Sequence, residues 1–387
     1  MTLLRRSVGS LPLLRVSGLV LGLALAACGE PVDGAVDGEV LDGELGAADE
    51  PDPEPDDAAD ADESDGEAQD PADDEVELTV VVTVGPIADL VRQVGGERVE
   101  VTSMVPAGAD AHTYEPRPQD VVTLTEADAY VGVGLGLNEG VLRLAEENLP
   151  DDALLVRLGE QALSEEQLVF DHIHDHDHDH DHDHDHDHTH DDDAADDHDH
   201  TAQEPGPNPH VWTSVANTAA LIPEIEHSLA QVDPAGAELY ADNAERYREQ
   251  LEDLDARIAE AAATIPDGAR TLVTYHDAWS YFARDYELEF ATAVQPEDFS
   301  DPSASEVREV IDLVRELEVP VLFGSEEFPT PVLERIAEET GADYVDDLAD
   351  DVLPGQAGDP EHTYLELMTR NAISIVRSLG GDTDPLR

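Results

Sequence analysis

Residues 78–105 read LTVVVTVGPIADLVRQVGGERVEVTSMV, and the fold turns on how they are parsed. Leu78 to Val84 is a Val-rich apolar run, as a strand covered on both faces of a parallel sheet requires. From Ile87 to Val94 the spacing becomes helical, and it halts at Gly95-Gly96. Val99 to Val105 is a second strand. The alternation continues with a helix over 118–127, a strand over 129–135, a helix over 139–148 and a strand over 154–158. A second series starts at Thr271: strands over 271–275, 289–294 and 320–324, and helices over 278–285, 303–317, 331–339 and 363–379. Between the series, Val215 to Gln231 is helical. Asp233-Pro234 then gives a cap and a first helical residue. Residues 235–264 contain no Pro and no Gly except Gly236, and such a helix would span about 45 Å. The expected fold is therefore α/β: two Rossmann-like (βα) lobes, 78–232 and 266–387, joined by one long rigid helix over 233–265. Two helices with a bend are the alternative for that segment.

Outward from this core the chain is strongly acidic. Its 387 residues hold 19 Arg, no Lys and 92 Asp plus Glu, for a net charge of −73. That excludes nucleic acid as a main partner, because phosphates need cationic neutralisation. The acids concentrate in two stretches, 30–77 and 171–200, yet the remainder is acidic too. Adaptation to a salty exterior, where counter-ions screen self-repulsion, accounts for such a surface. At the N-terminus, Arg5, Arg6 and Arg15 precede an apolar run, Val16 to Ala27, that ends in Leu25-Ala26-Ala27-Cys28. A basic start, a short apolar stretch and small residues before a cut read as an export signal over 1–28. The ending resembles a bacterial lipobox, which implies cleavage before Cys28 and lipidation of its thiol, with a plain signal peptide as the alternative. Cys28 is the sole cysteine, so no internal disulfide and no CxxC site exist. Residues 29–77 are too poor in large apolar groups to build a core and read as an acidic tether.

Residues 171–200 carry 12 His, namely His172, His174, His176, His178, His180, His182, His184, His186, His188, His190, His198 and His200, largely alternating with Asp. There is no apolar periodicity, so this is a loop inserted in the first lobe. Imidazole and carboxylate are ligands for Zn, Cu and Ni, so the tract reads as an auxiliary metal-collecting loop, or else as a repeat expansion without a role.

Five His lie outside the tract: His112, His210, His227, His276 and His362. His112 follows a strand in Gly108-Ala109-Asp110-Ala111-His112-Thr113-Tyr114-Glu115-Pro116. His210 sits in Asn208-Pro209-His210-Val211-Trp212, and His276 ends a strand in Tyr275-His276-Asp277-Ala278-Trp279. Ligands gather outside the carboxyl ends of strands in open α/β sheets, so strand-end His from two lobes can meet in one cleft. His227 reads as a helix-surface residue and His362 as a surface group before the last helix. Trp212, Trp279 and Tyr114 read as packing groups, Glu115 as surface, and Asp277 as a carboxylate able to orient a ligating ring.

These motifs, together with Asp301-Pro302-Ser303-Ala304 and Thr363 to Asn371, resemble the zinc- and manganese-specific solute-binding lipoproteins of bacterial ABC importers. The resemblance implies no enzyme activity, but extracytoplasmic binding of a transported Zn²⁺, with Mn²⁺ or Fe²⁺ as the competing cargo. It further implies delivery to an ABC permease and a lipid anchor on the outer face of the cytoplasmic membrane. A monomer is expected. The implied ligands are His112, His210, His276 and a carboxylate near the last strand, placed at Asp346 with Asp347 or water as alternatives. Manganese members carry Glu at the third position, where this chain has His276. Three imidazoles and one carboxylate suit Zn better than Mn. A metallohydrolase, and a zinc buffer or adhesin without a transport role, are the rival readings. No HExxH and no clear general base favour the first.

Overall fold

The computed structural model describes residues 78–170, 206–295, 301–326 and 330–387. The export signal with Cys28, the tether 29–77 and the His/Asp-rich tract lie outside the described residues.

The first lobe runs β1 (Leu78–Val82), α1 (Gly85–Gly95), β2 (Val99–Ser103), α2 (Pro118–Thr125), β3 (Ala129–Gly132), α3 (Glu139–Asn148), β4 (Leu154–Arg157) and α4 (Leu158–Ala162). Its four strands are all parallel, in the order β2-β1-β3-β4. The Val run behaves as a central strand must. Val80 and Val82 face α1 in one apolar cluster, while Val81 faces Leu124, Tyr130 and Val141 in another. After α5 (Val215–Val232) and α6 (Ala237–Ala262) the second lobe repeats the plan. It holds β5 (Thr271–His276), α7 (Ser280–Asp285), β6 (Glu289–Gln295), α8 (Ala304–Glu316), β7 (Val321–Ser325), α9 (Pro331–Thr340), β8 (Asp343–Leu348) and α10 (Tyr364–Ser378). The sheet order is β6-β5-β7-β8, again all parallel. Both first strands are therefore central, and both sheets present carboxyl ends from which loops can converge.

Strands end earlier than the apolar runs suggest. β3 stops at Gly132 because Gly134, Leu135 and Gly136 take φ of 75°, 54° and 81°, a left-handed bend that no strand accommodates. That bend delivers the chain to Asn138, which caps α3.

The connecting segment contains one continuous helix, α6, of 26 residues, or about 39 Å. It starts after a 3-10 turn at Pro234–Gly236, so the helix proper begins beyond the Asp233-Pro234 signal. Asp233 accepts from Ala235 N, from Tyr240 Oη at 2.7 Å and from Arg98 Nε at 2.9 Å, which fixes the turn to the first lobe. Tyr240, Ala244, Tyr247, Leu251, Leu254 and Ile258 make the buried stripe. With it α6 packs on α5 and α1 of the first lobe and on α10 of the second. One apolar cluster includes Ile87, Trp212, Leu251, Tyr281 and Leu367, so the lobes share a core and do not hang on a loose hinge.

Candidate metal centre

His112 stands in the long loop after β2, and its position is built from both sides. Asp110 Oδ1 accepts the His112 backbone N–H at 2.9 Å, and Asp110 Oδ2 accepts from Thr113 Oγ1 at 2.8 Å. Asn138 spends its Oδ1 on capping α3 through Val141 N, and its Nδ2 donates to the carbonyls of Ala111 (2.6 Å) and Tyr114 (3.1 Å). The capping residue thus clamps the loop that carries His112.

His210 precedes a 3-10 turn at Val211–Thr213 and is 1% exposed. Asn208 Oδ1 accepts both the His210 backbone N–H and the ring Nδ1–H, each at 2.9 Å. Asn208 Nδ2 donates to Asp277 O at 2.8 Å and to Ser280 Oγ at 3.1 Å, so one amide ties His210 to the end of the second lobe's central strand. His276 is the last residue of β5 and 4% exposed.

The three rings meet. His210 Nε2 lies 3.1 Å from His112 Nε2 and 3.1 Å from His276 Nε2. Ring centroids are 5.0, 5.0 and 4.7 Å apart. A tetrahedral ion with bonds of about 2.0–2.1 Å sets its ligand nitrogens roughly 3.3–3.4 Å apart, close to what the cluster presents. Burial, followed by the neighbouring rings of His276 and His112, holds the His210 imidazole well below its usual pKa. Its lone pair is therefore available in neutral water.

The structure groups different acids with the imidazoles from those the sequence led us to expect. Asp346 is exposed on β8 and joins no ligand cluster among the described residues. Asp347 is exposed as well and accepts a hydrogen bond from Ser374 Oγ of α10. The residues that approach are Asp350 and Asp351, which with His210 form a buried group whose ligand atoms lie within 4.8 Å of one another. The physical reason is the strand itself. Side chains inside β8 point to the faces of the sheet, and only those past Leu348 reach the cleft at its carboxyl end. Trp212 Nε1 donates to Asp350 O at 2.8 Å and so holds this loop against the first lobe. Both oxygens of Asp351 are buried with no hydrogen bond of normal geometry. Burial, with Asp350 and Asp110 adding like charge, drives its carboxyl well above the usual range, and the Ala111 backbone N–H offsets this only in part. A buried carboxylate with no well-formed hydrogen bond, beside a cluster of imidazole lone pairs, is a donor set that fits a divalent cation.

Other sequence expectations fare variously. His227 and Glu115 are exposed, and Trp212 and Trp279 are core residues at 0% and 3% exposure. His362 is half-buried rather than a free surface group, with its Nδ1 3.1 Å from Pro354 O. The group that orients the His210 ring is Asn208; Asp277 contributes its main-chain carbonyl to Asn208. Asn138 and Asp351 carried no motif of their own. Their signals were positional: a cap beside the His112 loop, and an acid just past a strand end.

A family model described as the periplasmic component A of the zinc-uptake complex matches residues 80–378. A manganese-binding lipoprotein, MntA, of Halalkalibacterium halodurans is 27% identical over 308 residues, 80% of this chain and 90% of the relative. The iron-binding protein YfeA of Yersinia pestis is 29% identical over 312 residues, 80% of this chain and 89% of the relative. Among solved structures, the periplasmic zinc-binding protein TroA of Treponema pallidum superposes with a TM-score of 0.64 at 25% identity, over 78% of this chain and 99% of that one.

Proposed function

This chain belongs to the family of periplasmic zinc-uptake component A proteins, and from that premise we propose that its cargo is Zn²⁺, held by His112, His210, His276 and Asp351. It is an exported metal-binding solute-binding protein of an ABC importer, anchored at the membrane, and not an enzyme. Its partner is the importer's permease. Cys28 is the lipid attachment point, and the His/Asp-rich tract 171–200 collects ions for the site.

The observation that carries the zinc reading is the convergence of three imidazole Nε2 atoms on one point, with His276 supplying the third. Three nitrogens and one carboxylate favour a four-coordinate, borderline-soft ion over Mn²⁺, which prefers more oxygen ligands. Relatives named for manganese and iron support the second reading, that one of these is the cargo. Affinity in vitro does not decide among metals, because Cu²⁺ binds such a site more tightly than Zn²⁺ whatever the cell uses.

The test is zinc titration of His112→Ala, His210→Ala and His276→Ala, paired with growth of a deletion strain on limiting zinc, manganese or iron. Each variant should lose more than about 100-fold in affinity for the tightest equivalent, beyond what loss of a supporting hydrogen bond costs. Growth should fail on limiting zinc alone. Unchanged tight binding in the variants removes the site assignment. Failure on manganese or iron alone transfers the site to that metal.

A further inference from the structure

A cavity of about 150 Å³ lies between the lobes beside the metal centre. Its first-lobe wall comes from the start of α1 at Gly85, the end of β2 at Ser103, and Ala107 and Ala109 of the loop that continues to His112. Its second-lobe wall comes from Asp351, Leu353 and His362. Pro106 and Ala107 are exposed, so the cavity opens to solvent at the first-lobe loop. Asp351, 6% exposed, lines the cavity as well and also belongs to the ligand cluster with His210. One carboxylate therefore borders both the solvent-connected cavity and the imidazole cluster.

The volume matters. A single water needs roughly 10–15 Å³ of such free space, so the cavity holds several waters. That accommodates an ion that keeps part of its hydration shell. His210 and His276 are closed off, at 1% and 4% exposure, and His112 is half-buried on the loop that continues from the cavity wall. The shared core of the two lobes argues against a wide swing as the only way in. Arg92 is the single guanidinium on the wall, and its Nη2 donates to Val101 O at 2.9 Å.

We propose that this cavity is the passage by which the cation exchanges between solvent and the imidazole cluster, with Asp351 as the ligand that takes it from water first and releases it last. The proposal rests on the reading that His112, His210 and His276 hold the cargo, and it adds a route and an order of ligand exchange. A partly hydrated cation trades waters for an Asp351 oxygen, then for imidazole nitrogens. No bond other than metal–ligand bonds changes.

The experiment measures zinc uptake and zinc release into an excess of chromophoric chelator by stopped flow, using the full chain and following the slow single-equivalent phase. Ala107→Trp plugs the mouth at an exposed position; it should slow uptake and release by the same factor, about tenfold or more, and leave the equilibrium affinity unchanged. His362→Ala widens the opposite wall and should speed both. Rates equal to wild type in Ala107→Trp, or a change in release alone, overturn the passage. If thermal melting shows Ala107→Trp to be misfolded, His362→Ala decides alone, and wild-type rates there overturn the proposal. A failure of the site reading is separable: it shows as tight binding that survives loss of the three His, whatever the rates at Ala107.

Discussion

Asn208 settles which nitrogen of His210 carries the proton. An amide oxygen can only accept, so the ring nitrogen 2.9 Å from Asn208 Oδ1 is Nδ1–H, and Nε2 keeps its lone pair for the cluster. Asp351 is the complementary case, a buried carboxylate without a hydrogen bond of normal geometry. Its raised pKa has a definite consequence for stability. A carboxyl with a folded pKa above its unfolded value adds stability below the unfolded value, near 3.8, and loses that contribution as pH rises through the folded one. At neutral pH Asp351 is therefore a cost to the metal-free protein. Asp351→Asn should raise the metal-free melting temperature at pH 7, by roughly 1–3 kcal/mol of stability. The gain should fade as pH falls toward 4, and zinc affinity should drop. His210 works in the opposite sense, since its depressed pKa means that the unfolded chain takes up the proton first. Metal-free stability from this ring falls as pH drops below about 6.5. Thermal melts of the chelator-treated protein from pH 4 to 8 measure both effects. Three of the proposed ligand positions stood out in the sequence because His at a strand end or after an Asn-Pro pair is chemically conspicuous. Asp351 did not, because one acid among 92 carries no such mark.

At the scale of elements, three helices meet on one buried side chain. Asp89 of α1 accepts the Tyr364 backbone N–H of α10 at 2.8 Å, Gln93 Nε2 at 3.1 Å and the Tyr247 hydroxyl of α6 at 3.4 Å. Tyr364 Oη in turn donates to Trp212 O at 2.6 Å, and Trp212 holds the loop bearing Asp350 and Asp351. Asp89→Ala leaves the Tyr364 N–H unpaired in a core position, so stability should drop by about 1–3 kcal/mol in urea unfolding. A loss within experimental error contradicts this role. None of this junction could be read from spacing, since Asp89 and Tyr364 are separated by 275 positions. What spacing did reveal was the local pattern: the Val-rich β1, the amphipathic α1, and the unbroken stripe of α6. It overran β3 because apolar character continues through Leu135, where the left-handed backbone ends the strand. It also placed the ligand acid inside β8, where strand geometry turns side chains to the sheet faces.

For the whole molecule, charge and topology set the terms. A chain at −73 with no Lys repels itself, and salt shortens the range of that repulsion from about 10 Å at 0.1 M to about 3 Å at 1 M. The melting temperature should rise between those two concentrations; a fall would contradict salt adaptation. Two parallel sheets of matching order place their carboxyl ends toward a common cleft, and α6 with the shared core keeps them there. Everything functional follows from that cleft holding one cation. The direct measurement is diffraction from the zinc-loaded protein at the zinc absorption edge. The account predicts an anomalous peak about 2.0–2.1 Å from Nε2 of His112, His210 and His276 and in contact with an Asp351 oxygen. A cleft without such a peak, or a peak that leaves any of the three imidazoles unbonded, would contradict it.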